Sequence, residues 1–264
     1  MTLINGQPGD SISVDDRGLQ YGDGVFETIA IINGKAPHLS KHISRLSKSC
    51  KELLIPNINS DVIIKEVESV ADGATKAVVK VIITTGQGER GYKRPDNIKI
   101  TRIVKQYPWP DYPKSYQQDG IETNLLKFSF PPDSTSLKTL NRLPQVITSS
   151  LKEHPEAIVF DSNRKEVMGG TMSNFMIYSD NNLIYCENPI IEGVMQSVVL
   201  EAADSLGIEH QSKHIDMDMI STATSMFFCN SLIGIWPIIR YKKNYKIHKY
   251  IKELQDIINK YYEY

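Results

Sequence analysis

The alternation of apolar and polar residues in the first hundred positions predicts strands at both ends and two helices between them. From 38 to 54, apolar residues recur every three or four positions, which is the helical period, and Pro56 closes that helix. Ser60 and Asp61 can cap a second helix. The predicted elements are, in order, strands at 2–4 and 25–32, helices at 38–54 and 60–71, and strands at 77–84 and 98–105.

A proline-rich segment, Tyr107–Pro113, predicts a linker. It holds three prolines in seven residues, and proline neither continues a helix nor donates to an inner strand ladder. Beyond it the pattern predicts strands at 121–128, 157–161, 174–178 and 183–186, and helices at 144–153, 194–206 and 247–262. Strands and helices mix in both halves without regular βαβ alternation, which indicates the α+β class. The predicted organisation is a domain at 1–106, a linker at 107–119 and a second domain at 120–264.

Composition narrows the class of protein. The 264 residues are enough for two modest cores, and 41% apolar with 23% charged residues is typical of a soluble enzyme. A net charge of −1 gives no general attraction to nucleic acid or to an acidic membrane. Three widely spaced cysteines without a CxxC pair indicate reduced core residues. The chain opens without a basic, apolar leader and contains no run of about 18 apolar residues, so we expect a cytoplasmic protein.

A GxGxxG match at Gly86–Gly91 follows a predicted strand. A dinucleotide site needs a helix directly after the glycines, whereas the next residues include Pro95 and have no helical period. A flexible loop between antiparallel strands is therefore favoured. Arg90 and Tyr92 on that loop are candidates to meet an anionic substrate.

Two histidines four residues apart, His38 and His42, have the spacing of metal ligands on a helix. The pair lacks the glutamate of an HExxH motif, so solvated or capping histidines are favoured and no metal site is predicted.

Three features together indicate a pyridoxal phosphate site, although each alone is also consistent with an ordinary turn or a solvated loop. Lys138 lies in the segment SLKTLNRLPQV, and a buried amine can form an imine with an aldehyde cofactor. Gly193 precedes an apolar helix, whose free backbone N–H groups can bind a phosphate. Asn230 and Ser231 add two short polar groups at the end of an apolar strand.

Longer motifs make the chain resemble the fold-type IV pyridoxal-phosphate enzymes and, among them, most closely the aminodeoxychorismate lyases. The likeness covers nearly the whole length. It includes DRGLQYGDGVFET at 16–28, HISRL at 42–46, RGY at 90–92, the lysine segment, GTMSN at 170–174, EGVM at 192–195 and CNSLIGIWPI at 229–238.

The resemblance implies a fold like that of D-amino-acid aminotransferase, with a smaller N-terminal α/β sandwich and a larger C-terminal pseudo-barrel, assembled as a homodimer. It implies pyridoxal 5′-phosphate as the cofactor. It also implies a small-molecule substrate, 4-amino-4-deoxychorismate, which such lyases convert into pyruvate and 4-aminobenzoate, a folate precursor.

The resemblance also implies roles for individual residues. Lys138 would hold the cofactor covalently and act as general base, with Thr28 facing the reactive carbon. The groups implied to bind the cofactor phosphate are Arg45, the backbone of Val194 and Met195, and Ser231. Arginine suits bidentate carboxylate recognition, so the two carboxylates of the substrate make Arg90 and Arg142 candidate clamps.

One position departs from the family. A glutamate that pairs with the cofactor ring nitrogen normally stands where this chain has Gly169. Its loss makes the cofactor a poorer electron sink, unless Glu166 or a water substitutes. An aminotransferase for D- or branched-chain amino acids should suffer more than a lyase, and a catalytically impaired homologue is the third possibility. We expect a glutamate restored at position 169 to speed turnover.

Overall fold

The computed structural model describes residues 1–56, 58–129, 137–188 and 191–262, which form two compact units. The first consists of Met1–Pro110 together with Leu137–Arg142, and the second of the described residues that remain. The division after Pro110 lies inside the segment predicted as a linker. The short stretch Leu137–Arg142, which the sequence placed in the second domain, groups with the first unit.

The first unit is built on a five-stranded antiparallel sheet in the order β2-β1-β5-β4-β3, which leaves β3 at an edge. Its elements are β1 (Thr2–Ile4), β2 (Gln7–Pro8), α1 (Arg17–Tyr21), β3 (Gly24–Ile32), α2 (Leu39–Glu52), α3 (Ser60–Ala71), β4 (Lys76–Thr84) and β5 (Thr101–Pro108). The loop that contains the GxGxxG match joins the antiparallel strands β4 and β5, as predicted.

The apolar stripe of α2 explains its packing. Ile43, Leu46 and Cys50 are buried and belong to the same core cluster as the inward-facing residues of β3 and β4. The cap of α3 differs from the prediction. Asn59, not Ser60 or Asp61, accepts the hydrogen bond from the first turn, because its extended backbone places its side chain over the free N–H groups.

The second unit contains a mixed nine-stranded sheet within the described residues, in the order β11-β10-β9-β12-β13-β6-β7-β8 with β14 paired to β13. Its elements are α4 (Ser115–Gln118), β6 (Ile121–Phe128), α5 (Leu143–Leu151), β7 (Glu156–Asp161), β8 (Glu166–Gly170), β9 (Asn174–Ser179), β10 (Asn182–Cys186), α6 (Val194–Ser205), β11 (Glu209–Lys213), α7 (Met217–Thr222), β12 (Ser225–Asn230), β13 (Gly234–Tyr241), β14 (Lys243–Asn244) and α8 (Lys249–Asn259).

Two large buried clusters pack on this sheet, and a third, small one contains Val159 and Met168. Helices α6 and α8 cover one cluster, whereas Trp236 and Phe228 lie in the other. The α+β class is confirmed. The three cysteines are buried without disulfide bonds. Within the described ranges, no helix combines the length and the apolar character needed to cross a bilayer.

Candidate active site

The segment Leu137–Arg142, here called the lysine loop, pairs with the free edge of β3. The Phe26 amide donates to the Lys138 carbonyl (2.9 Å), and the Leu140 amide donates to the Gly24 carbonyl (2.9 Å). Edge strands carry unpaired backbone groups, and here the loop satisfies some of them. The main chain of Lys138 is therefore fixed to the sheet of the first unit.

The Lys138 amine has an unusual environment. Its pKa is lowered from 10.5 to about 7, chiefly because it is removed from water. The positive charges of Arg45, Arg142 and Lys80 lower it further, and the Glu27 carboxylate opposes them. About half of the amine is neutral at pH 7, and a neutral amine is the form that attacks an aldehyde or accepts a proton.

One face of β3 presents the Phe26 ring to this amine. The Lys138 Nζ lies 4.3 Å and the Lys80 Nζ 4.8 Å from the centre of the Phe26 ring. Burial lowers the pKa of Lys80. Thr28 pairs in register with Lys80 and is two residues from Phe26, so its side chain lies on the same face. Lys80 was not singled out from the sequence.

The opposite face of β3 holds a buried ion cluster. Glu27 is 1% exposed and accepts two hydrogen bonds from Arg45 (2.7 and 2.6 Å) and one from the Nδ1 of His42 (2.8 Å). Burial raises the pKa of Glu27, but the hydrogen bonds from Arg45 and His42 outweigh it and lower the pKa to about 2. Burial lowers the pKa of His42, which is therefore neutral at pH 7. Arg45, the predicted phosphate ligand, is thereby held in one orientation.

This cluster corrects the interpretation of the histidine pair. His38 precedes α2 without forming a side-chain cap, whereas His42 is buried and bonded to Glu27, so the prediction of solvated or capping histidines was wrong. Glu27 was missed too. The sequence feature that could have revealed Glu27 is a single carboxylate at an inward position on an otherwise apolar face of β3.

The two candidate clamps behave differently. Arg142 donates to the carbonyls of Thr139 (2.9 Å) and Leu137, so it braces the lysine loop. Its pKa is lowered to about 10 by burial and by Arg45. Arg90 is exposed on the loop between β4 and β5, and none of the contacts described for the first unit joins its side chain to Lys138. Their roles as clamps stay predictions.

The second unit provides a helix N-terminus suited to an anion. Gly193 directly precedes α6, whose first residues, Val194 and Met195, are buried. A β-carbon at Gly193 would overlap the side-chain oxygen of Asn174, so only glycine fits. The first-turn N–H groups have no partner within the helix and can bind a phosphate. The contact described for Ser231 is with Tyr262, whose hydroxyl donates to its carbonyl (2.9 Å).

Gly169 lies in a backbone conformation that only glycine adopts easily, with φ of +136°. A β-carbon there would stand 3.0 Å from the Ser173 carbonyl oxygen. The neighbouring carboxylate of Glu156 is already occupied by the Thr171 amide (2.8 Å) and hydroxyl (2.5 Å) and by the Ser173 hydroxyl (2.7 Å). A glutamate at 169 would therefore be strained, which argues against faster turnover on restoring it.

Glu166, the suggested substitute, is also occupied. It is buried and bonded to His214 (3.1 Å) and Asn188 (3.4 Å). None of these contacts indicates that Glu166 pairs with the ring nitrogen of a cofactor.

The residues present nevertheless fit a phosphorylated aldehyde. Within the first unit, an amine of low pKa and an oriented arginine suit an aldehyde and an anion. Within the second unit, taken by itself, the helix N-terminus after Gly193 suits an anion. Amine and anion-binding groups are the donor set that such a cofactor requires.

Comparison with known proteins agrees with this chemistry. The Amino-transferase class IV family matches residues 24–241. The aminodeoxychorismate lyase of Vibrio harveyi is 26% identical over 98% of this chain and 100% of its own length. The D-alanine aminotransferase of Bacillus licheniformis is 26% identical over 86% of this chain and 82% of its own. The crystal structure of 4-amino-4-deoxychorismate lyase from Pseudomonas aeruginosa superposes with a TM-score of 0.94 at 30% identity, covering 100% of both chains.

Proposed function

Because the chain belongs to the amino-transferase class IV family, whose members use pyridoxal phosphate, we propose that it is a carbon–oxygen lyase. Its substrate is 4-amino-4-deoxychorismate and its products are 4-aminobenzoate and pyruvate. The observation that carries this proposal is the end-to-end structural match to a lyase of that activity. The enzyme acts as a homodimer.

The cofactor would be held covalently at its aldehyde and by polar groups at its phosphate. Lys138, with its amine of low pKa, would hold the aldehyde carbon of the cofactor. Arg45 and the backbone N–H groups of Val194 and Met195 bind its phosphate, with Ser231 as a further partner. When bound, the cofactor supplies an electron sink for the negative charge that develops on the substrate.

Lys138 performs the proton transfer. Its neutral amine is the group that would take the proton from the amine-bearing ring carbon of the substrate. With a pKa of about 7 rather than 10.5, the neutral fraction at pH 7 is roughly half instead of one in about three thousand. The electrons of the broken C–H bond are then available to complete the aromatic ring as enolpyruvate leaves. Lys138 or a water returns a proton to form pyruvate, and Thr28 lies on the same face of β3.

The charges around Lys138 suit a substrate with two carboxylates. Arg142 and Lys80 are positive, whereas the charge of Arg45 is offset by its pairing with Glu27. An excess of positive charge in a partly buried site favours dianions over neutral amino acids with one carboxylate. Arg90 and Arg142 are the proposed clamps, and Lys80 joins them as a third cation.

The test begins with cofactor attachment. Purified protein saturated with pyridoxal phosphate is treated with borohydride, and mass spectrometry should locate the fixed cofactor on Lys138. Lys213→Ala, which removes an exposed lysine, should leave attachment unchanged, whereas Lys138→Ala should abolish it. Attachment elsewhere, or none, would overturn the assignment of Lys138.

Activity then separates the reactions. Release of 4-aminobenzoate from 4-amino-4-deoxychorismate without amination of 2-oxo acids supports the lyase. The match to a D-alanine aminotransferase keeps an aminotransferase as the second candidate, and amination without aminobenzoate would establish it. Attachment without either activity would identify an impaired homologue, consistent with Gly169.

A further inference from the structure

We propose that Asp23 is a positioning residue of this active site, because one short segment around it fixes both the lysine loop and the Gly91–Arg94 segment next to Arg90. The inference rests on the proposed function for what the two segments do. The coupling of the two segments through residues 22–24 rests on contacts within the first unit alone.

The Asp23 carboxylate is a hub for two guanidinium groups. It accepts from the Nε of Arg17 (3.0 Å), from the Nε and Nη2 of Arg94 (3.0 and 2.5 Å) and from the Thr85 hydroxyl (2.8 Å). Its side chain is 12% exposed. Burial raises its pKa, but the hydrogen bonds from Arg94, Thr85 and Arg17 lower it overall, so Asp23 is charged at neutral pH.

The two guanidinium groups hold the Gly91–Arg94 segment. Arg17 is buried and donates to the carbonyls of Gly91 (2.9 Å) and Tyr92 (3.0 Å). Arg94 donates through Nη1 to the Leu53 carbonyl (2.6 Å) at the end of α2. Among the described contacts, Asp23 is the carboxylate that both share. Without its charge the two cations would repel each other in a partly desolvated setting.

The main chain on either side of Asp23 holds the lysine loop. A β-carbon at Gly22, where φ is +65°, would overlap the Asn141 side chain. A β-carbon at Gly24 would stand 2.9 Å from the Leu140 side chain, and the Gly24 carbonyl already accepts the Leu140 amide. Leu140 and Asn141 therefore rest directly on the two glycines, and a displacement of residues 22–24 must move the residues beside Lys138.

A cavity shows why the coupling runs through Asp23. The two segments line a common space of about 270 Å³, with Tyr92 and Arg94 on one side and Thr139 and Asn141 on the other. Side chains on opposite walls of a cavity are not in van der Waals contact, so packing across it does not couple the two segments. A bonded route between the segments runs from Arg17 and Arg94 through Asp23 to Gly22 and Gly24, beside the hydrogen bond from the Gly91 amide to the Tyr21 hydroxyl.

Hydrogen exchange of the cofactor-saturated protein tests the coupling directly. Asp23→Asn removes the charge with little change of shape, and backbone exchange should accelerate about tenfold in peptides covering both 91–94 and 137–142. The control, Asp96→Asn, removes an exposed ion pair with Lys93 beside the same segment and should change neither. Acceleration confined to 91–94, or equal acceleration with Asp96→Asn, would overturn the proposal.

A milder variant keeps the test decisive if Asp23→Asn folds poorly. Thr85→Val removes one hydrogen bond to Asp23 at nearly constant volume, and it should raise exchange in both segments by a smaller factor. Unchanged exchange at 137–142 in this variant would also refute the coupling.

Kinetics distinguish positioning from simple loss of folded protein. Asp23→Asn should raise KM, because the Arg90 segment loosens, and lower kcat, because Lys138 is displaced. A loss of folded enzyme would reduce kcat alone, and that result would count against positioning. If coupled exchange is seen but no 4-aminobenzoate forms, the lyase proposal fails while Asp23 keeps its role. If the lyase is active and exchange is uncoupled, the Asp23 proposal alone fails.

Discussion

Replacing Glu27 by glutamine should destabilise the first unit and make Lys138 more acidic. The side chain keeps its shape but loses the charge that two hydrogen bonds from Arg45 and one from His42 now stabilise. Removing one partner of a buried ion pair leaves the other charge without compensation, and such changes cost about 3–5 kcal/mol.

The lowered pKa of Glu27 gives a second estimate of how much its charge stabilises the folded protein. A value of about 2 against an ordinary 4.5 corresponds to roughly 3 kcal/mol of folding free energy at neutral pH. Because the pKa is depressed in the folded state, this contribution is complete above pH 4.5 and is lost as the pH falls towards 2. The stability difference between wild type and Glu27→Gln should therefore shrink over that range.

Thermal unfolding between pH 2 and pH 7 measures this difference. At pH 7 the unfolding temperature of the 264-residue protein should fall by roughly 6–12 °C, since about 2–4 °C accompany each kcal/mol in proteins of roughly that size. A difference below about 1 kcal/mol at pH 7, or one that stays constant down to pH 2, would refute the reasoning.

The effect on Lys138 is measured separately. Glu27 raises the pKa of Lys138 against the effects of burial and of Arg45, so its removal should lower that pKa further below 7. The rate at which cofactor-free protein captures pyridoxal phosphate, followed against pH, reports the neutral amine. Its midpoint should move to lower pH in Glu27→Gln.

Glu66→Gln is the matched control. Glu66 forms a similar two-bond pair with Arg102 (2.5 and 2.6 Å) in the same unit, and it is not among the charges that act on Lys138. This variant should lose stability while the capture midpoint stays in place. A shift of equal size in both variants would mean that general loosening, not the Glu27 charge, controls the amine.

Three further outcomes follow from the geometry. In the wild type the rate of cofactor capture should rise with pH and level off above about 7, since Lys138 must be neutral; a profile that still climbs at pH 10 would refute the low pKa. Gly169→Ala and Gly169→Glu should each cost about 1–3 kcal/mol in thermal unfolding, with no gain in turnover, because φ is +136°. Gly73→Ala is the control, a positive-φ glycine without neighbours within 4 Å, and a similar cost there would assign the effect to φ alone. Gly193→Ala should weaken cofactor binding measured by titration, and adding Asn174→Ala should restore it by removing the overlapping side chain.

The local sequence pattern was sufficient to predict those helices and strands whose apolar residues recur with one clear period. The helices α2 and α6 and the strand β3 were expected within a few residues of where they lie. Helix α1 was not expected, because RGLQY is short and contains glycine, which disfavours helix. Its hydrogen bond from the Gly18 amide to Asp16 compensates.

Residues of the candidate site were predicted only where they belong to a recognisable sequence motif. Lys138 and Gly193 stood out because a lysine in such a segment and a glycine before an apolar helix have chemical meanings of their own. The pairing of Glu27 with His42 was not predicted, since it joins a strand to a helix and hydrophobic periodicity does not reveal it. The grouping of the lysine loop with the first unit was missed for the same reason, because the pairing of Phe26 with Lys138 depends on contacts between distant parts of the chain.

The position of β3 at the sheet edge explains why so much chemistry gathers on one strand. An edge strand exposes backbone groups that could pair with another chain, and proteins normally block them. Here the lysine loop blocks the start of the edge, because its hydrogen bonds with Gly24 and Phe26 pair the first residues of β3 and also fix the main chain of Lys138. With the loop on the edge, alternate residues of β3 serve two purposes: Phe26 contacts the amine on one face, while Glu27 orients Arg45 on the other. A change that broke these hydrogen bonds would therefore expose backbone groups of Gly24 and Phe26 and displace the main chain of Lys138 together.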